Sequence, residues 1–111
     1  MTNPPFIFGY LYAASKFHAL KEAESIYHNP RKRKRYINVE KNALRYCELR
    51  GGSQEIFAVV RQEESGKYRG YAALFYIEKV ARVGYDAIGR KFVDLTDFGA
   101  SLPDTHETGS K

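Results

Sequence analysis

Two stretches of this sequence are apolar at nearly every position, and they set the first limit on the fold. One is "FIFGYLYA", residues 6–13, and the other is "YRGYAALFYIE", residues 68–78. Successive side chains of a strand point to opposite faces, so a segment that is apolar at both parities has both faces covered. We interpret residues 6–13 as such a strand, with Phe6, Phe8, Tyr10 and Tyr12 on one side, and residues 68–78 as a central strand.

A first helix is predicted in "KFHALKEAESIYH", directly after the first strand. Its apolar side chains recur at intervals of three and four, which is typical of one buried helical stripe. Ser15 stands where an N-cap hydroxyl belongs, and Asn29 followed by Pro30 ends the helix. The predicted stripe consists of Phe17, Leu20, Ala23, Ile26 and Tyr27.

A second helix is predicted in "VEKNALRYCELR", with Asn38 as its N-cap. Gly51 and Gly52 mark its end, and the short segment "YIN" before it is interpreted as an optional strand. The predicted inner face of this helix consists of Val39, Ala43, Tyr46 and Cys47.

The rest of the chain predicts strands and a tail. Residues 55–61 and 68–78 would pair as a hairpin across the turn 62–67, and residues 80–85 and 90–95 would form a second hairpin. The predicted order is β-α-(β)-α-β-β-β-β. This is a single small α+β domain over residues 1–99, with a curved mixed or antiparallel sheet and two helices, and residues 100–111 are predicted to be a flexible tail.

Composition narrows the class of protein. The single Cys47 excludes an internal disulfide and is typical of a reducing compartment, so we expect a cytoplasmic location. No apolar run approaches the roughly 20 residues that a membrane-spanning helix requires. We therefore expect no membrane partner.

Catalytic chemistry has little support in the sequence. His18 and Glu22 are four residues apart on a predicted helix, but zinc requires more ligands than that pair. Cys47 lies on an inner helix face, where a thiol is usually inert packing. We predict no catalytic residue, no metal site and no cofactor, and hence a protein that is not an enzyme.

Basic residues are concentrated in one part of the chain. Residues 16–50 carry ten Lys and Arg against four Glu, and five cations are adjacent in "RKRKR". Such a run neutralises phosphates and releases counterions, and aromatic rings beside it can stack on unpaired bases. Three interpretations stay open: a nucleic-acid contact, an acidic protein partner, or a solvated connection without a role. The candidate nucleic-acid-binding residues of the run and its neighbours are Arg31, Lys32, Arg33, Lys34, Arg35, Tyr36 and Tyr27.

The stretch "IFAVVRQEESGKYRGYAAL", residues 56–74, resembles the paired strands of YTH domains and related PUA-like RNA-binding folds. The resemblance extends loosely over about 90 residues, and it implies a PUA-like curved sheet with helices at its side. YTH domains hold a methylated adenine in a cage built largely of Trp, and this chain has no Trp. Tyr27 falls near the position of the first cage Trp, and Tyr85 falls in the region of the second.

The leading hypothesis from the sequence is a non-enzymatic module that binds RNA or single-stranded nucleic acid. The basic run would hold the backbone, and Tyr27, Tyr36 and Tyr85 would stack on bases. The alternative is a protein-interaction module of the kind that phages and other mobile elements encode, which would inhibit a host complex by binding an acidic or nucleic-acid-binding surface.

Overall fold

The computed structural model describes residues 5–62 and 74–105, and these form an α+β domain. Strand β1 is Ile7–Ala13, helix α1 is Lys16–His28, and a short 3-10 turn covers Pro30–Lys32. Helix α2 is Tyr36–Arg50, followed by strands β2 (Ser53–Arg61), β3 (Phe75–Tyr85) and β4 (Lys91–Leu95), and helix α3 is Asp97–Ala100. The strands form one antiparallel sheet in the order β1-β2-β3-β4. The predicted α+β fold class is therefore confirmed, and the sheet, predicted to be mixed or antiparallel, is antiparallel.

Helices cover the sheet on both faces. On one face, Ala19, Ala23 and Ile26 of α1 pack on a cluster of sheet residues: Leu11, Phe57, Val59 and Ile77. On the other face, α2 packs on a second cluster of sheet residues: Tyr10, Ile56, Ala58, Val60, Val80, Ala81 and Val83. Strand β1 contributes to both clusters, which explains why it is apolar at both parities, as the sequence predicted.

The side chains of β1 do not alternate regularly between the two faces of the sheet. The register of β1 against β2 shifts between Ile7 and Gly9. Because one residue is accommodated without a ladder partner, Phe8 packs with the α1 cluster while Ile7 packs with Tyr10 on the α2 side. The predicted grouping of Phe8 with Tyr10 is therefore wrong.

The buried face of α1 is also rotated from the predicted one. Its buried residues are Ala19, Ala23 and Ile26, whereas Phe17 and Leu20 are 76% and 47% exposed. Two small alanines let the helix lie close to the sheet, so the larger apolar side chains on either side are left outside. The caps agree with the sequence, since the Ser15 hydroxyl accepts from the His18 N–H and the helix ends at His28, before Pro30.

Helix α2 begins two residues before the predicted Asn38 cap. The segment interpreted as an optional strand is its first turn, with Arg35 at the N-cap position. Tyr36 extends the buried stripe backwards, because the buried residues follow at intervals of three, four and four: Tyr36, Val39, Ala43 and Cys47. The predicted inner residue Tyr46 lies beside this stripe and is 37% exposed. Cys47 is a buried free thiol.

Strand β3 replaces two predicted strands in the part that the structure describes. It runs without a break through Lys79, and a register shift opposite Ile56 and Phe57 leaves Val80 as the extra residue. The rest of the predicted strand 68–78, residues 68–73, and nearly all of the predicted turn 62–67 lie outside the described residues. The second predicted hairpin is confirmed, with its turn between Tyr85 and Lys91.

Residues 100–105, predicted to begin a flexible tail, pack on the core instead. Helix α3 is capped by the Thr96 side chain, which accepts from the Gly99 N–H. Leu102 and Thr105 are buried, and the Thr105 hydroxyl donates to the carbonyl oxygen of Gly99 at 2.7 Å. The predicted boundary after residue 99 therefore falls within a packed segment, and the remainder of the predicted tail, 106–111, lies outside the described residues. Within the described ranges, no helix is long and apolar enough to cross a membrane.

Candidate functional site

A cleft of about 680 Å³ opens between α1 and α2. Its base is the outer edge of β1, the first strand in the sheet order. Among the strands of residues 5–62 and 74–105, β1 pairs with β2 alone. The helices form its two walls because they cover opposite faces of the sheet and extend past this edge. The cleft is lined by Tyr10, Leu11, Tyr12, Ala13, His18, Glu22, Ile26, Lys32, Lys34, Val39, Asn42, Arg45, Tyr46 and Leu49.

The outer side of the β1 main chain faces the base of the cleft. The Tyr10 N–H points away from β2 and donates to the carbonyl oxygen of Lys34 at 3.1 Å. Peptide groups two residues apart on a strand point the same way, so those of Tyr12 also face outwards. The base of the cleft therefore presents a main-chain donor and acceptor next to aromatic side chains.

Residues 31–35, here called the basic segment, close one end of the cleft. The segment lies directly on β1, since a β-carbon added to Gly9 would stand 3.2 Å from the Arg33 Cα and from the Lys34 N. Gly9 thus gives the main chain of the segment room to approach the strand. This contact, together with the hydrogen bond to Tyr10, holds the segment in one place.

The Arg33 side chain makes contacts within the fold and does not line the cleft. Its Nε donates to the Ile26 carbonyl oxygen at 3.2 Å, and its Nη2 donates to the Tyr27 carbonyl oxygen at 2.9 Å. These carbonyls belong to the last turn of α1, where main-chain acceptors lack helical partners. The guanidinium also lies 4.9 Å from the Phe8 ring centroid. The prediction that Arg33 holds a phosphate is at odds with these contacts.

The other cations of the basic segment divide between the cleft and the outer surface. Lys32 and Lys34 line the cleft, and Arg45 joins them from α2. Arg31 and Arg35 are exposed but do not line it. The structure thus brings together two of the five predicted cations with one that the sequence analysis did not select.

The three predicted stacking tyrosines do not meet at this site. Tyr36 is 1% exposed, its ring lies against Tyr10, and its hydroxyl donates to Glu40 at 3.1 Å. Burial, with a contribution from the Glu40 carboxylate, raises the pKa of the Tyr36 phenol above its usual range. A ring in this position cannot stack on a ligand without leaving the core, so the prediction for Tyr36 is wrong.

Tyr27 and Tyr85 are partly exposed, but neither lines the cleft. The Tyr27 ring stacks on Phe75 at 5.0 Å and meets the edge of Phe8 at 5.1 Å. Tyr85 lies at the end of β3, opposite Lys91 of β4. The structure therefore does not place them with the cations of the cleft.

Tyr46 and Tyr12 form an aromatic pair in the lining of the cleft, which also includes Tyr10. Their ring centroids are 5.9 Å apart, and the Arg50 guanidinium lies 5.4 Å from the Tyr46 centroid. The apolar spacing of the sequence does not predict this group, because it assigns Tyr46 to the inner face of α2. A usable signal was the spacing of Asn42, Arg45 and Leu49, which follow each other at intervals of three and four on one helix face.

The charges in the cleft are mostly positive. Among the residues that the structure describes, three cations, Lys32, Lys34 and Arg45, line it with one carboxylate, Glu22. Over the ranges 5–62 and 74–105, no group of three or more His, Cys, Asp and Glu side chains is arranged to hold a metal ion. The cleft combines exposed cations, an aromatic pair and outward-facing main-chain groups. Groups of these kinds can bind an anionic ligand that has aromatic rings.

Comparison of the chain with protein-family models, with curated proteins and with solved structures found no match. Most of the stretch that resembles YTH domains, residues 63–73 of 56–74, lies outside the described residues. The resemblance therefore stays a prediction.

Proposed function

We propose that this protein is a non-enzymatic module that binds single-stranded nucleic acid in the cleft between α1 and α2. The observation that supports this most directly is the meeting of Lys32, Lys34 and Arg45 with the exposed ring of Tyr46 in one concave surface. Cations of this kind contact phosphates without regard to sequence, and an aromatic ring stacks on any base. We keep a cytoplasmic setting in the proposal, since the one cysteine is a free thiol.

The proposed phosphate contacts come from two directions. Lys32 and Lys34 stand at the end of the cleft that the basic segment closes, and Arg45 stands on the α2 wall. Because the cations stand both at one end of the cleft and on one wall, they can contact successive phosphates of a nucleic-acid backbone that lies along the cleft. The main chain of the basic segment is fixed on β1, so the two lysines are presented from a defined position.

The proposed stacking surface is the Tyr46 ring. Tyr12 supports it from the strand and Arg50 packs against it from the next turn of α2. A ring that is held by its neighbours loses little conformational freedom on binding, which favours affinity. Stacking requires an unpaired base, so this arrangement favours a single strand over a duplex.

The test is a set of binding titrations with fluorescent ten-nucleotide single-stranded RNA, single-stranded DNA and a duplex of the same length, each at several salt concentrations. In the cleft variant, Lys32, Lys34 and Arg45 are replaced by Gln. In the matched control, three exposed cations outside the cleft and the basic segment, Lys16, Arg90 and Lys91, are replaced by Gln. Both variants lose two Lys and one Arg, so they differ only in where the charge is removed.

We expect the cleft variant to bind weakly and to show a shallower salt dependence. Loss of three phosphate contacts lowers the slope of log K against log salt by about 2 for a single strand. We also expect Tyr46→Ala to weaken binding by at least about fivefold without changing the slope, while Tyr76→Ala, at a tyrosine of similar exposure on β3, has no effect.

Two outcomes would contradict the proposal. If the wild-type protein binds none of the oligonucleotides at low salt, where nucleic-acid affinity is highest, the cleft is not a nucleic-acid site. If the cleft variant and the control variant lose affinity equally, binding is a property of net charge alone. An acidic peptide of the same length serves as a further arm, and tighter binding to the peptide than to any oligonucleotide would favour the protein-partner alternative.

A further inference from the structure

Glu22 is negatively charged, whereas Lys32, Lys34 and Arg45 in the same cleft are positively charged. It is the one carboxylate among the described residues that line it, and it stands on the α1 wall one turn after His18. Its side chain is exposed, and within the described chain it makes no hydrogen bond or ion pair. A carboxylate in this position repels phosphate, so it lowers affinity for a nucleic-acid backbone that lies against α1.

In the proposed site this repulsion would orient a bound strand. Phosphates are attracted to Arg45 on the α2 wall and to Lys32 and Lys34 at the closed end. The α1 wall is then left to the base, whose edge meets Glu22. The Tyr46 ring on the opposite helix remains available to the face of a base.

The chemistry of a carboxylate limits which base fits. An ionised Glu has two acceptor oxygens and no donor. The Watson–Crick edge of guanine presents two adjacent donors, N1–H and the N2 amino group, which match two carboxylate oxygens. Adenine, cytosine and uracil each present a donor next to an acceptor on that edge, so one carboxylate oxygen would face a lone pair.

We infer that Glu22 selects guanine at the cleft, either within a single strand or as a guanine mononucleotide. This inference rests on the proposed function and names the ligand of the same site. Single-stranded recognition of this kind reads the Watson–Crick edges of splayed bases. Stacking alone is tolerant of base identity, so any selectivity must come from an edge contact such as this one.

The experiment uses the full chain and single-stranded ten-nucleotide RNAs that are all uridine except for one central position. That position is guanine, adenine, cytosine, uracil or inosine, which is guanine without the N2 amino group. We expect the guanine strand to bind at least about fivefold more tightly than the adenine, cytosine and uracil strands, as is usual for a bidentate contact. The inosine strand should lose most of that preference.

Two variants separate the hydrogen bonds from the charge. Glu22→Gln replaces one acceptor by a donor and should abolish the guanine preference. Glu24→Gln makes the same charge change at an exposed residue of α1 outside the cleft and should keep the preference. Competition with guanosine monophosphate and with adenosine monophosphate distinguishes the two sources of guanine, a strand and a mononucleotide. At a mononucleotide site, guanosine monophosphate displaces the labelled strand and adenosine monophosphate does not.

The results that overturn the inference differ from those that overturn the proposed function. Equal binding of all five strands, or a guanine preference that survives in Glu22→Gln, removes the role of Glu22 and leaves the cleft as a sequence-tolerant site. Absence of binding to every strand and both nucleotides removes the proposed function together with this inference.

Discussion

Gly99 lies directly against the main-chain carbonyl of Val80, so closely that a β-carbon on Gly99 would overlap the Val80 oxygen. The contact joins α3 to the bulge of β3, where the Thr96 N–H also donates to Val80 at 2.9 Å. Gly99 is helical and its φ is not positive, so the reason for a glycine here is the close approach of two main chains.

We expect Gly99→Ala to destabilise the protein, although Ala is the better helix former. The added methyl group must displace α3 or β3, and overpacking of this kind costs about 1–3 kcal/mol. Urea denaturation measures it. The neighbouring exposed Ala100→Gly serves as the control and should cost at most about 1 kcal/mol. Equal stability of Gly99→Ala and the wild type would show that α3 moves away freely.

Arg33 and Arg31 should respond differently to the same substitution. Arg33→Gln removes two hydrogen bonds to the end of α1 and the contact with the Phe8 ring, so we expect a loss of about 1–3 kcal/mol of folding free energy. Arg31→Gln, at an exposed position, should stay within about 0.5 kcal/mol of the wild type. Chemical denaturation of the two variants in parallel decides the matter, and identical midpoints would mean that Arg33 does not hold the basic segment.

Truncation should reveal where the packed part of the chain ends. Removal of residues 106–111, which include no large apolar side chain, should leave the melting temperature nearly unchanged. Removal of residues 102–111 also takes away buried Leu102 and Thr105, and loss of one buried leucine costs about 1.5–3 kcal/mol. At about 4–8 °C for each kcal/mol in a domain of this size, the second truncation should lower the melting temperature by more than about 5 °C.

Tyr36 predicts how stability depends on alkaline pH. Its pKa is raised in the folded chain by burial and by Glu40, while in the unfolded chain it is about 10. Above that pH the unfolded chain releases a proton that the folded chain keeps, so stability is fully present below about pH 10 and falls as the pH rises, by up to about 1.4 kcal/mol per unit.

Tyr36→Phe should therefore make the decline of stability above about pH 10 shallower, even though loss of the hydrogen bond to Glu40 lowers stability at neutral pH by about 1 kcal/mol. Denaturation midpoints at pH 7, 9, 10 and 11 for the variant and the wild type provide the comparison. Parallel curves over this range would show that the phenol ionises equally in the folded and unfolded chains.

The elements could be predicted from the sequence because they depend on short-range patterns. Strand β1, the ends of both long helices and the β3–β4 hairpin all follow from apolar spacing, capping residues and turns. The start of α2 was missed although its signal was local, since Tyr36 continues the spacing of Val39 and Ala43.

The site could not be predicted in the same way. Lys32 and Lys34 line the cleft while Arg33, between them, bonds to the end of α1, and this division depends on how the segment lies against β1. Tyr46 becomes a cleft residue because the stripe of α2 is centred on Val39, Ala43 and Cys47. The positions of the lysines and of Tyr46 both depend on tertiary packing, which cannot be predicted from a run of charges in the sequence.

The arrangement of the cleft on the chain has a consequence for folding kinetics. Every described residue that lines it falls between Tyr10 and Leu49, while β2, β3 and β4 follow one another as a meander. Neighbouring strands of the meander are close in sequence, whereas β1 can pair with β2 only after residues 14–52 have been closed into a loop. Closure of the longer loop costs more entropy, so the meander should nucleate first and β1 should dock late with its two helices. The cleft would then be the last part of the described chain to assemble and the first to open.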